Sequence, residues 1–576
     1  MNLPTPAIVA QAAVRRLPRV ALLLLCAAYL MPGLVGRGPW KSADIAAFGY
    51  MAELARSTEG IARWFDPLLL ALRPETPALI PYWIGAWAIQ LAPSWVSPDL
   101  AVRIVFALML WGAFTATWYA VYYLARSPRA QPVAFAFGGE ALPKDYARAI
   151  ADGGLLALIA SWGLALPGHE TTPALAQLFF ASNMFYGVAA LPFRRIGATV
   201  ALAIGTVGMA LSGGPTVALL LGGIATLLIV AERRRTRGAD AEDLPGYTAA
   251  SVWTVLAVTV LAGALAFQLG LVQSRIALPG DHAVAGSVGG DIRSLAKLLV
   301  WFTWPTWPLA VWTLWRWRRQ LSARHVSLPL CFALVPLAAT FTTDYAERSL
   351  LLALPALATL AAFALPTFRR SASALIDWFT LLFFTGLAVI GWLYWIAMQT
   401  GVPAKPAASI ARLVPGFTPE FSVLGFVLAA LATIAWIWLV RWRTGRHRSA
   451  LWKTLVLPAG GTALCWMLLM TLWLPPVDYA RSYVPQVRAI AERVGQPACI
   501  STLSLSRPHI AALRHHGHFE LRSLEGGPAC RWLLLSPEAI VTLNTKIDLS
   551  QWRFIGTLRR PTSASDDLLL YQKFVP

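Results

Sequence analysis

The sequence predicts an all-α polytopic membrane protein of about thirteen transmembrane helices with a small α/β domain at its C-terminal end. Three observations carry this reading: long apolar runs, basic clusters recurring between them, and a change of composition after residue 474. Of the 576 residues, 57% are hydrophobic and 13% are charged. A soluble domain carries about 25% charged residues. Runs of roughly 20 apolar residues recur along most of the chain, the length a helix needs to cross the hydrocarbon core. A membrane β-barrel is excluded, because its strands alternate in short segments and these runs do not.

The first run, 18–36, follows "VRRLPR". It resembles a signal peptide, but its exit, "GLVGRGPW", offers no A-x-A cleavage site, so it is read as an uncleaved first helix. The following runs are 101–125, 149–166, 171–193, 196–213, 215–231, 249–272, 295–315, 327–343, 348–367, 374–399, 421–442 and 452–474. The net charge of +20 is not spread evenly. Arg15, Arg16 and Arg19, then Arg126 and Arg129, Arg194 and Arg195, Arg233 to Arg235, and Arg441 and Arg443 lie between runs or at their edges. Short loops rich in Lys and Arg stay cytoplasmic. With the N-terminus inside, every second connection holds such a cluster, so the basic excess reads as a topology signal and not as nucleic-acid binding.

The other connections are then extracytoplasmic: 37–100, 167–172, 212–214, 273–294, 342–348, 400–420 and everything after about 475. Segment 37–100 mixes amphipathic pieces with Pro-rich turns. Within it, "DIAAFGYMAELARS" puts Phe48, Met51 and Leu54 near one face, the pattern of a helix lying in the membrane interface. Residues 1–474 are thus the membrane domain. The tail, 475–576, reads as one domain of ordinary size. It carries one amphipathic helix, "YVPQVRAIAERVG", and strand-like runs "ACIST", "HFELRSL", "RWLLLS", "WRFIGTL" and "LLLYQKF". Cys499 and Cys530 are its only cysteines. In an oxidising compartment they are expected to form a disulfide.

Ionisable residues collect on the extracytoplasmic loops. Lys41, Asp44, Asp66, Arg73 and Glu75 come from the first, His169 and Glu170 from the second, Arg275, Asp291, Arg293 and Lys297 from the fourth, and Asp344, Tyr345, Glu347 and Arg348 from the fifth. Acids supply general bases or metal ligands, and Arg and Lys bind phosphate. Both together at a water–lipid boundary suit a phosphate-bearing lipid. Each residue also has a structural role open to it. Asp44 suits a helix start, as does the pair His169–Glu170. The fourth-loop cations suit anionic lipid contacts. The Trp-rich run 301–317 reads as an interfacial and packing feature. "RHHGH" at 514–518 reads as a solvated loop rather than a metal site. A divalent cation (Mg or Mn) on Asp44, His169 and Glu170 is entertained, though their spacing does not ask for one. No Walker or dinucleotide motif is present, which disfavours ATP-driven transport.

The pattern resembles the bacterial GT-C glycosyltransferases, in particular the lipid A aminoarabinose transferase and protein-mannosyltransferase-like family. The residues that carry the resemblance are an acid soon after the first helix ("SADIAAFG"), "PYWIGA" in a long first loop, and a His/acid second loop opening the fourth helix. A basic fourth loop, "YAERSLLLALPALA" and a small tail domain complete it. The resemblance implies transfer of a sugar from a polyprenyl-phosphate donor to a lipid or glycan acceptor. The reaction would take place at the periplasmic face of a bacterial inner membrane, with inversion at the anomeric carbon, by a monomer. Asp44 and Glu170 would be catalytic. Arg275, Arg293, Tyr345 and Arg348 would hold the donor phosphate, and Lys41, Arg73, Glu75, Tyr82 and His169 would line the substrate cavity. Where the family shows "EKPPLYYW", this chain has "PALIPYW", which keeps Tyr82 and Trp83 without the lysine. The alternatives are a lipid flippase or transporter, a protein O-mannosyltransferase-like enzyme acting on protein, and a structural membrane protein that merely holds its tail domain. A transporter predicts midplane charges and repeat symmetry; the sequence has few of the former and no internal repeat.

Overall fold

The structure is a computed structural model. It describes residues 5–574 except 41, 59, 237–245, 273–287, 342–345, 446–449, 496, 525–529, 541, 542, 544–548 and 561. Among these the membrane domain begins with α1 (Arg19–Leu30), α2 (Ala43–Arg56), α3 (Ala62–Phe65), α4 (Ile80–Leu91) and the long α5 (Pro98–Ala125). It continues with α6 (Pro143–Ala160), the single turn α7 (Trp162–Ala165), α8 (Pro173–Ala190), α9 (Arg195–Leu211), α10 (Pro215–Thr236) and α11 (Ala249–Gln268). Then follow α12 (Val288–Phe302), α13 (Thr306–Arg316), α14 (Arg324–Ala339), α15 (Ala346–Ala364), α16 (Arg370–Thr400), α17 (Ala404–Leu413), α18 (Val423–Thr444) and α19 (Val456–Leu469).

Each predicted run meets a helix, but the runs are not thirteen equal spans. Seven of the described helices are long and apolar enough to cross a membrane, and an eighth is counted if α6 and α7 form one broken span. The run 149–166 bends by 73° between α6 and α7. The run 295–315 breaks between α12 and α13, around Pro305. Helix α1 has 12 residues, about 18 Å at 1.5 Å per residue, shorter than the hydrocarbon core.

Helix α15 is the axis of this domain. Its apolar window is wholly buried, whereas the windows of α16 and α18 are 22% and 11% buried and present apolar side chains outward. The alanines of "LLLALPALATLAAFA" let neighbouring helices approach α15 closely, the way small residues work between membrane helices. Helices α8 and α9 are closer still. A Cβ on Gly205 would stand 2.4 Å from the backbone nitrogen of Met184, so only glycine fits there.

The C-terminal domain comprises α20 (Leu474–Arg481), α21 (Val484–Val494), β1 (Ile500–Leu503), α22 (Arg507–His516), β2 (Leu521–Ser523), β3 (Trp532–Leu535), β4 (Trp552–Arg560) and β5 (Ser563–Lys573). Its five-stranded sheet has the order β2-β1-β3-β5-β4. Strand β1 runs parallel to β2 and β3, and β5 runs antiparallel to β3 and β4. Leu533 and Leu535 of β3 are buried among apolar neighbours. Cys499 and Cys530 are joined as a disulfide between the approaches to β1 and β3, their Cα atoms 5.7 Å apart.

Two expectations are corrected here. Helix α2 does not lie on a lipid surface with one face buried. It is enclosed between α4 and α22, and Ile45, Phe48, Tyr50, Met51 and Leu54 are each at most 2% exposed. "RHHGH" is not a solvated loop. Arg514, His515 and His516 form the last turn of α22, and the His515 ring packs 4.5 Å from that of Phe48 in α2. The missing signal is tertiary: α22 has a partner that local polarity cannot reveal.

Candidate functional site

A cavity of about 200 Å³ opens where α2, α4, α8, α15 and α22 meet. Its floor is made of small residues, Ala43, Ala46 and Ala47 of α2, Ala174 of α8 and Gly213–Gly214, which leave the space. Its polar groups come from separate parts of the chain: Tyr50 from α2, Glu75 and Thr76 from the loop before α4, Tyr82 from α4, Thr172 and Gln177 from around α8, Arg348 and Ser349 from α15, and Arg507 from α22. The Tyr50 and Tyr82 rings lie 5.5 Å apart. The Tyr50 hydroxyl donates to the Leu72 carbonyl at 3.1 Å. Burial pushes the Tyr50 hydroxyl up to about 12, against the opposing pull of Arg507, and burial raises Tyr82 as well. Both are protonated donors at neutral pH. Arg507 donates through Nε to the Arg73 carbonyl at 2.8 Å and stands with Nη1 3.4 Å from Glu75 Oε1.

Behind the α2 wall lies a buried polar network. Asp44, 1% exposed, accepts at Oδ1 from the Thr171 amide at 2.7 Å and the Thr171 hydroxyl at 2.6 Å. Its Oδ2 accepts from the Trp40 amide at 3.0 Å and faces Arg37 Nη1 at 3.7 Å. This carboxylate ties the start of α2 to the start of α8. Arg37 also donates to the carbonyls of Gly33, at 2.8 Å, and of His169. Trp40 stacks between the guanidiniums of Arg37 and Arg481, 4.5 and 5.4 Å from its ring. Its indole N–H donates to Asp478 at 2.7 Å. Glu170 stands next to this network. Burial first, and Asp44 second, push its carboxyl well above the usual carboxylate range, while Arg481, Arg37 and Arg348 oppose them.

The sequence-predicted residues therefore divide. Glu75, Tyr82 and Arg348 meet in the cavity. Asp44 and Glu170 stand behind its wall and not among its lining residues. His169 points elsewhere: its Nδ1 lies 2.6 Å from the Ala165 carbonyl and its Nε2 2.9 Å from the Tyr29 carbonyl. With both ring nitrogens against carbonyls and both Asp44 oxygens occupied, Asp44, His169 and Glu170 do not form a metal-ligand set. No group of three or more His, Cys, Asp or Glu suited to a metal occurs among the described residues. The Arg73 side chain is exposed and pairs with Asp66 at 2.9 Å; it is its carbonyl that reaches the site. Arg293 is exposed on α12, away from the lining. Lys41, Arg275 and Tyr345 fall outside the described residues. The sequence reading missed Tyr50, Gln177 and Arg507. Tyr50 is one helical turn from Ala46 and Ala47 and was legible once α2 was placed. Arg507 carries no local signal, since only the docking of α22 brings it there.

No protein-family model and no curated protein matches the chain. Solved structures do. The crystal structure of ArnT from Cupriavidus metallidurans bound to undecaprenyl phosphate superposes with a TM-score of 0.58 at 15% identity, covering 96% of each chain. That of ArnT from the same organism in the apo state gives 0.57, also at 15% identity and 96% of each. The fold is that of ArnT. The likeness to ArnT covers 96% of the chain and so takes in both the membrane domain and the C-terminal sheet domain. The helical membrane fold with a small C-terminal sheet domain expected from the sequence is thus the fold observed, in a multi-pass membrane protein.

Proposed function

We propose that this chain is a glycosyltransferase that takes its sugar from a polyprenyl-phosphate donor. One observation carries the reading. In the fold of a protein crystallised with undecaprenyl phosphate, two guanidiniums, two protonated tyrosines and a carboxylate converge on one cavity. Arg348 holds the donor phosphate and stabilises the charge that develops on it as the sugar leaves, an electrostatic role that a preformed cation performs without reorganisation. The Tyr82 hydroxyl is a further donor beside it, while the Tyr50 proton is engaged by the Leu72 carbonyl. Glu75, the carboxylate among the described lining residues, takes the proton of the acceptor hydroxyl as that oxygen attacks the anomeric carbon. The bond from that carbon to the phosphate oxygen breaks, and polyprenyl phosphate departs with the electron pair. One displacement inverts the anomeric centre.

In this reading Asp44 and Glu170 act on the wall. Asp44 fixes α2 against α8, and Glu170, its charged form disfavoured by burial and by Asp44, stands beside that network. The prenyl chain lies along the bilayer. The donor carries a pentose or hexose, and the acceptor is a lipid or glycan reached from the periplasmic face of a bacterial inner membrane, where the C-terminal domain stands. The test is binding of undecaprenyl phosphate to purified protein, followed by tryptophan fluorescence. Arg348→Ala is expected to weaken it at least tenfold; equal binding by Arg348→Ala and the unaltered protein removes the phosphate assignment.

A further inference from the structure

The inference rests on the reading of the cavity as a lipid-phosphate site. We propose that Arg507, delivered by the C-terminal domain, passes from its contact with Glu75 to the phosphate of an incoming ligand, which takes one cation off the carboxylate that receives the acceptor's proton.

The geometry of α22 makes this arrangement specific. The helix is fastened to α2 along its length, while its first residue overhangs the cavity. In its middle, Ala511 packs on Gly49 so tightly that a Cβ on Gly49 would stand 2.5 Å from that of Ala511. At its far end Arg514 pairs with Glu53 and His515 packs on Phe48. At its near end Arg507 lines the cavity together with Glu75 and Arg348. The Arg507 guanidinium has one firm attachment, a loose one to Glu75, and a hydrogen bond with the Tyr50 side chain. Nε is anchored on the Arg73 carbonyl at 2.8 Å, whereas Nη1 meets Glu75 at 3.4 Å. Both side chains are partly solvated, 32% and 43% exposed, and such pairs are weak. A phosphate accepts two parallel N–H bonds from a guanidinium and outcompetes a long single contact to a carboxylate. With Arg348 as the second cation lining the cavity, the ligand's charge is divided between two arginines. No covalent bond changes in this exchange. A hydrogen-bond partner is traded, and Glu75 gives up its Arg507 contact while keeping its other partners. The C-terminal domain is then part of the binding machinery rather than an appendage.

The experiment measures undecaprenyl phosphate affinity of the full-length protein in nanodiscs for Arg507→Gln, Arg507→Lys, Glu75→Gln and the pair Arg507→Gln with Glu75→Gln, alongside thermal midpoints. Arg507→Gln is expected to weaken binding about tenfold, and Arg507→Lys, which keeps a charge but loses the fork, by less. Glu75→Gln removes the competitor and is expected to tighten binding severalfold while abolishing sugar transfer. In the Arg507→Gln background that gain should vanish. A merely structural role for Arg507 does not produce this dependence of one substitution on the other. If Arg507→Gln fails to fold, Arg507→Lys with and without Glu75→Gln carries the same comparison. Unaltered protein that binds while Arg507→Gln binds equally well overturns the handover alone, as does a Glu75→Gln gain that persists without Arg507. Unaltered protein that does not bind the lipid phosphate overturns the functional reading and the handover together.

Discussion

Asp44→Asn separates a catalytic Asp44 from a structural one. The aspartate accepts three hydrogen bonds and faces one guanidinium, all without solvent. An asparagine has one acceptor oxygen. If that oxygen faces Thr171, the new NH2 group points at the Trp40 amide and at Arg37, donor against donor and donor against cation. If the side chain flips, the Thr171 amide and hydroxyl lose their acceptor instead. Either way a buried donor is orphaned, at about 1–3 kcal/mol, and Arg37, 7% exposed, loses its counter-charge. Breaking a buried pair by removing one partner costs about 3–5 kcal/mol. The substitution should therefore lower the thermal midpoint by several degrees in detergent and loosen the α2–α8 contact. A companion Arg37→Gln should recover part of the loss, because the stranded cation is removed. Protein carrying Asp44→Asn that melts with the unaltered protein yet transfers no sugar would refute this account of Asp44 and return it to the chemistry.

Docking of α22 should weaken in acid. Burial, the largest influence on both rings, pushes His515 and His516 down to about 4, from about 6.5 in an open chain. Asp99 opposes burial at both rings, and His518 reinforces it, with Arg56 also reinforcing it at His515. The docked form thus binds fewer protons, so the contact is intact above about pH 6.5 and is lost progressively as pH falls toward 4. A tenfold difference in proton affinity between docked and open forms corresponds to about 1.4 kcal/mol, and the partial exposure of these rings reduces it. Limited proteolysis across that range should show the C-terminal domain released at low pH; His515→Asn with His516→Asn that keeps the same profile would refute it. Gly49→Val should undock α22 by overpacking, at about 1–3 kcal/mol, seen as earlier proteolysis at neutral pH. Gly49→Ala with Ala511→Gly should stay docked, and equal behaviour of all three proteins would remove the proposed close contact.

The sequence revealed the architecture where apolar length alone decides it. Runs such as 101–125, 374–399 and 421–442 read directly and meet α5, α16 and α18, and the strand-like pieces of the tail meet β1 to β5. The number of spans was not legible, because hydropathy does not register the bend between α6 and α7 or the shortness of α1. In the site, Glu75 and Arg348 were legible from their loops and residue types, and Tyr82 through the family resemblance of "PYWIGA". His169 looked equally promising, yet its ring is aimed at two carbonyls, a matter of side-chain direction that spacing does not carry. Arg507 was out of reach for the opposite reason: it lies 432 residues from Glu75, and only the fit of Ala511 onto Gly49 brings it over the cavity.

The central claim is that the cavity around Arg348 and Glu75 transfers a sugar from a prenyl phosphate. The most direct measurement supplies purified protein in nanodiscs with an undecaprenyl phosphate carrying a radiolabelled sugar and total membrane lipids as acceptor. The account predicts that label moves from the donor to another lipid or glycan, and that Arg348→Ala and Glu75→Gln stop it while remaining folded. Label that stays on the donor across pentose and hexose donors, or transfer undiminished by either substitution, would contradict it.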